Sequence, residues 1–145
     1  MATTTTNFGF DIPTSSDLVK NGATAIAELG QDIDTKFAGL SINAQTGTTY
    51  TAVKADGLNQ IVTMDNASAN TFSIPTDATY AFPTGTTLLV YQKGAGVTTI
   101  QAVTSGTTTV VSAGAVSAAP VLARYKTAAA IKIAANSWIV VGAVA

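Results

Sequence analysis

The chain contains no cysteine and no histidine, and only 10% of its 145 residues are charged. Without cysteine there is no disulfide framework and no thiolate metal site. Without histidine the usual general base near pH 7 and the commonest metal ligand are both missing. Seven Lys and Arg against eight Asp and Glu leave a net charge of −1, too weak a field to draw in nucleic acid or an anionic membrane. The opening MATTTTNFGF has neither the basic start nor the continuous apolar run of a secretory signal. Mean hydropathy is +0.35, yet no stretch approaches the ~18 unbroken apolar residues of a membrane span.

What fills the chain instead is Thr and Ala, 25 and 26 residues respectively, within a composition that is 47% hydrophobic and so too apolar for a disordered polar chain. A low-charge chain rich in Val, Ile, Thr and Ala suits permanent assembly, because surfaces buried against partners need no charges. The few charges are segregated. Residues 1–77 hold all eight acids against Lys20, Lys36 and Lys54, a net of 3 − 8 = −5. From Ala78 onward there is no acid, and Lys93, Arg124, Lys126 and Lys132 give +4. The halves are therefore expected to adjoin each other or a copy of the chain; a nucleic-acid surface needs denser charge.

Four segments are expected. Residues 1–13 form an extended, Thr-rich arm in which Phe8, Phe10 and Ile12 alternate at strand spacing with Gly9 and Asp11. All three side chains then point to one side, against another protein or a neighbouring copy. Residues 14–40 read as a helix for oligomerisation: Pro13 blocks helix before it, Thr14, Ser15 and Ser16 offer N-caps, and Asp17 suits the first turn. Val19, Ile26, Ile33 and Leu40 recur every seven residues, with Leu29 at the matching d position, the spacing of a coiled-coil seam. Gly22 and Lys36 occupy the other d positions and weaken it, and a single amphipathic helix lying on its own β domain is the alternative. Isoleucine at a positions is compatible with two or three strands. Residues 41–49 read as a linker.

Residues 50–145 carry short strand patterns with turn signals every eight to twelve residues. The strand candidates are 50–54, 60–65, 71–74, 87–92, 98–103, 107–111, 121–125, 129–134 and 137–144. With no intervening helix they predict a small antiparallel sandwich or barrel, so the whole chain is expected to be mainly β. Phe72, Phe82, Tyr91, Tyr125 and Trp138 are the aromatic core candidates, with Trp138 the strongest anchor.

Chemistry is sparse. Asp32 and Asp34 point to different helix faces, and Glu28 with Asp32 shares a face but has no third ligand. Asp56, Asp65 and Asp77 fall at strand ends or turns, where aspartate caps backbone. No imidazole is present to activate a Ser or Thr hydroxyl, and Lys54 or Lys93 as base has no supporting motif. Gly94-Ala95-Gly96 is read as a hairpin turn, since no helix follows to make it a phosphate loop. These features predict a protein that is not an enzyme and holds no metal or cofactor. Tyr50, Tyr80 and Asn136 are candidates for a carbohydrate site, although each also fits a turn or a half-buried sheet position.

FGFDIPTSSDLVKNGATAIAELGQDID resembles the N-terminal segment of many tailed-bacteriophage virion proteins, which run aromatic-Gly-aromatic, a short Pro-containing stretch, then a helix. The carrying positions include Phe8, Gly9, Phe10, Pro13, Asp17, Val19, Gly22, Ala23, Ile26, Leu29, Gly30, Ile33 and Asp34. The segment from Val62 through Gly96, and Trp138 before Val140-Val141-Gly142, is similar to the small β domain of phage tail-fibre-like and head-fibre proteins. The resemblance covers about residues 8–144. It implies a homotrimer on the phage particle surface: an N-terminal anchor binding a capsid or tail protein, helices about a three-fold axis, and β domains facing outward. With no long shaft, a compact head fibre, decoration protein or short tail fibre is expected. A host-surface carbohydrate-binding module at a fibre tip is the second expectation. A surface-layer or pilus subunit, suggested by the Thr/Ala/Gly composition, is the third, and the missing secretion signal argues against it.

Overall fold

The computed structural model describes residues 3–5, 8–12, 19–112 and 119–145, and the chain divides into two units, Met1–Leu40 and Ser41–Ala145. In the first, Thr3–Thr4 (β1) pairs antiparallel with Asp11–Ile12 (β2). Gly9 closes the turn at φ +69°, a left-handed conformation that glycine adopts without penalty. The Thr5 amide donates to the Phe10 carbonyl (2.8 Å), and the Phe10 amide donates to Thr5 Oγ1 (2.8 Å). The expected extended arm is thus a tight hairpin. Phe8 and Phe10 precede β2, and their rings stack at 5.4 Å.

Helix α1 spans Val19–Phe37. The caps expected at Thr14, Ser15, Ser16 and Asp17, and Pro13 before them, lie outside the described residues. The helix ends three residues short of Leu40, its last turn closed by the Ala38 amide on the Asp34 carbonyl (2.9 Å). Lys36 sits in that last turn, where the helix dipole favours a cation.

The second unit opens on a strand where a linker is expected. Ser41–Gln45 (β3) and Thr49–Thr51 (β4) lead into a single 3-10 turn at Lys54–Gly57. There follow Gln60–Met64 (β5), Asn70–Ile74 (β6), Thr87–Gln92 (β7), Thr98–Ala102 (β8), Thr109–Ser112 (β9), Val121–Leu122 (β10), Thr127–Ala134 (β11) and Ser137–Gly142 (β12). They form a six-stranded sheet, β3-β5-β7-β11-β12-β9, and a four-stranded sheet, β10-β8-β6-β4. From β3 to β8 the chain visits the two sheets alternately. Consequently β3, β5 and β7 pair parallel in one sheet while β4, β6 and β8 pair parallel in the other. Both sheets are mixed, which corrects the antiparallel expectation. A parallel pair needs a long crossover, usually a helix; here the crossover is a strand of the opposite sheet. Within these two sheets the antiparallel strand pairs are β11 with β7 and with β12, and β10 with β8, while β12 and β9 pair parallel.

Alternating residues of both sheets meet in one core, with Phe72, Ile74, Ile100 and Leu122 from the four-stranded sheet and Met64, Leu88, Val90 and Trp138 from the other. Trp138 is fully buried and stands edge-on to Phe82 at 5.6 Å; its Nε1 has no hydrogen-bond partner among the described residues. Tyr91 is displaced from the expected core. In β7 it is Leu88, Val90 and Gln92 that point inward, so Tyr91 faces out with Leu89. Tyr125 is 61% exposed in a turn, with Arg124 over its ring.

Gly94-Ala95-Gly96 is likewise not a hairpin turn, because β7 and β8 lie in different sheets. It stacks on the turn before it: the Gly94 amide bonds the Met64 carbonyl (3.1 Å), and the Gly96 amide the Asn66 carbonyl (3.0 Å). Asn66 in turn reaches the Thr46 carbonyl with Nδ2 (2.7 Å). The three turns leaving β3, β5 and β7 therefore form one hydrogen-bonded stack.

Candidate interaction surfaces

Three buried polar clusters in the second unit are the places where chemistry would reside. In the first, Asp56 is completely buried in the 3-10 turn. Its Oδ2 accepts from the Tyr50 hydroxyl and the Val53 amide (both 2.8 Å), and its Oδ1 accepts from Asn43 Nδ2 (2.8 Å). Burial first, then the hydrogen bond to Asp56 and that carboxylate's charge, push the Tyr50 hydroxyl up to about 12. A carboxylate holding three donors is satisfied in place. It pins β3, β4 and the 3-10 turn together.

The second cluster joins distant segments. Lys132, 4% exposed on β11, donates to Asp77 Oδ1 and to the Phe82 carbonyl, both at 2.6 Å. Asp77 also accepts from the Asn136 amide (3.0 Å), and the Asp77 amide donates to Asn136 Oδ1 (2.8 Å). The third cluster fastens the stacked turns. Gln92 Nε2 donates to the carbonyls of Gly94 (3.1 Å) and Gly96 (3.0 Å). The Thr98 hydroxyl lies against Asn70 Oδ1 (2.6 Å) and Gln92 Oε1.

Each cluster is closed on itself, and each polar group is turned toward backbone or another member. Sequence reasoning missed Asn43, Asn70, Gln92 and Lys132 as inward residues. The signal was there: Gln92 shares strand parity with Leu88 and Val90, and Lys132 with Ala128 and Ala130. Among the described residues no group of three acidic side chains is arranged to hold a metal ion. No helix of the described residues is long and apolar enough to cross a membrane.

The carbohydrate candidates do not converge. Tyr50 spends its hydroxyl on Asp56 and packs its ring on Phe72 (6.1 Å), Asn136 is tied to Asp77, and Tyr80 stands on Phe82 (6.4 Å). A groove of about 520 Å³ lies beside Gln101, Val103, Ser105, Thr108 and Val110, and none of the described residues lining it is aromatic or charged.

The first unit presents the opposite picture. Along α1, Ile26 is 68% exposed and Ile33 43%, Leu29 is half-buried, and Leu40 just beyond the helix is exposed. The Val19 side chain lies outside the described set. In the hairpin, Phe8 and Phe10 are half-buried and Ile12 is exposed. Phe8 also touches Phe37 at 5.7 Å, so the hairpin leans on the end of its own helix. No protein-family model, curated protein or solved structure matches this chain.

Proposed function

We propose that the chain is a non-enzymatic structural protein of a bacteriophage virion, a short homotrimeric appendage of the head-fibre, decoration or short tail-fibre kind. In this reading α1 associates with its copies as a three-stranded coiled coil through Ile26, Leu29 and Ile33, with Leu40 adding a contact just beyond the helix end. The two sheets of the second unit form a sandwich that faces outward, and Phe8, Phe10 and Ile12 anchor the N-terminus to a capsid or tail protein. The observation that carries it is the exposed seven-residue seam. Isoleucines left in water forfeit about 1.5–3 kcal/mol each relative to burial, and a 19-residue helix with two glycines is marginal alone. The self-satisfied polar clusters support a scaffold over a catalyst. Sequence resemblance supplies the virion context.

Light scattering on the purified chain tests the assembly. The expected mass is about 44 kDa, three times 14.6 kDa; a monomer at micromolar concentration overturns the reading. Deleting residues 2–12 should leave the chain trimeric, its mass lower only by the residues removed, and abolish particle occupancy. Full occupancy by the truncated chain overturns the anchor.

A further inference from the structure

The two sheets of the second unit show different outer faces. On the four-stranded sheet the outward residues of β4, β6 and β8 are Thr49, Thr51, Thr71, Ser73, Thr99 and Gln101, all hydrogen-bonding groups. On the six-stranded sheet the strand registers bring Ile42, Ile61, Leu89, Ala129 and Val141 into one continuous cross-strand row. Beside it run Ile131, Ile139 and Val111. No outward position of these six strands carries a charge, since the one charged strand residue, Lys132, points into the core. Ile42 is 70% exposed and Val141 43%.

We infer that this face is the surface through which the β units of separate copies of the chain pack on one another. The inference rests on the homo-oligomeric reading above and adds where the second contact lies. Three considerations select a copy of the chain over a foreign partner. An uncharged apolar face matches an identical one without any opposed charge, whereas selection of a foreign partner draws on complementary charge. Second, the area fits: six strands spaced ~4.8 Å apart and about five residues long at ~3.3 Å each give roughly 500 Å² in projection. The accessible area of such a corrugated face is larger, of the order of the ~800 Å² per partner in a stable interface. Third, β3 begins at Ser41, directly after the unit that carries the helical seam, so copies joined through α1 hold their β units at high local concentration. Ile42, the most exposed residue of the row, is the second residue of that strand.

The absence of cysteine makes the test direct. Ile42→Cys and Val141→Cys are placed on the face and Thr51→Cys on the exposed opposite sheet, each in the full chain. Maleimide labelling of the folded proteins is compared, with the mass of each measured alongside. Reaction at Ile42→Cys and Val141→Cys at least ten-fold slower than at Thr51→Cys, in an oligomer, is the expected result. Equal rates in an oligomer overturn this inference and leave the helical assembly standing. Equal rates in a monomer overturn both. Slow labelling in a monomer means the chain covers its own face, which also overturns packing between copies. As an independent check, Ile139→Glu should raise the concentration of half-dissociation at least ten-fold with the near-ultraviolet circular dichroism of Trp138 retained; an unchanged midpoint counts against the inference.

Discussion

Lys93 and Lys132 each hold an aspartate at 2.6 Å, yet their removal should have opposite consequences. Lys93 and Asp65 are both open to water, 59% and 39% exposed, so solvent screens the pair and Lys93→Ala should leave the urea midpoint unchanged. The Lys132 ammonium is 4% exposed. Lys132→Ala strands Asp77 and the Phe82 carbonyl, and we expect a loss of about 3–5 kcal/mol in urea denaturation. Lys132→Met combined with Asp77→Asn should recover part of it, because the uncompensated charge is gone. Tyr50 provides a pH handle. Its hydroxyl ionises at about 12 in the folded protein against 10.0 ordinarily, so between these values the unfolded chain binds fewer protons than the folded one. Stability from this group is complete below pH 10 and declines as pH rises toward 12. Melting temperatures from pH 9 to 12 should fall more steeply for the parent than for Tyr50→Phe; parallel curves would show that the raised value has no energetic weight.

At the level of elements, every strand from β4 to β12 overlaps a segment legible in the sequence, because short apolar and β-branched runs are bounded there by turn residues. Strand β3 was not legible, and the reason is physical. Its inward residues are Asn43 and Gln45, held by the Asp56 network, while Ile42 points outward. Read as hydrophobic-in, SINAQ has no core face. Parallel pairing was equally hidden, since local alternation does not say which strand a strand will neighbour. The glycines of the stacked turns separate by the same logic. A Cβ on Gly94 or Gly96 would collide with the Asn66 or Ser68 carbonyl, backbone that cannot move aside without unstacking the turns. Gly96→Ala should therefore cost more than ~2 kcal/mol by overpacking. Gly30, in mid-helix, has nothing within 4 Å, and Gly30→Ala should add about 0.8–1 kcal/mol of helix stability, read as increased ellipticity at 222 nm.

For the whole molecule, the proposed assembly makes folding separable from association in one unit and inseparable from it in the other. The buried apolar core runs from Ala52 to Val140 and includes no residue of α1, so the β unit has its own source of stability. Among the described residues the helix has none of comparable size: Ile26, Ile33 and Phe37 are exposed, Leu29 is half-buried, and Phe37 meets Phe8 at the helix end. If copies supply the missing burial, then helix content and association must be lost together. Ile26→Asp with Ile33→Asp places charges at two successive a positions while leaving the core untouched. We expect the 222 nm signal to fall, the concentration of half-dissociation to rise by at least a hundred-fold, and the thermal transition of the β unit to stay within a few degrees of the parent. Thr35→Asp, exposed and off the seam, should change none of these. Full helicity in a dissociated double variant would mean that α1 is stable by itself and that its seam is not what holds the copies. The effect of adding Ile139→Glu then depends on whether the copies touch twice. With two contacts on one tether, losing the helix leaves the sheet face to act at ordinary bulk concentration, so the combined variant should be monomeric even where the double variant retains weak association.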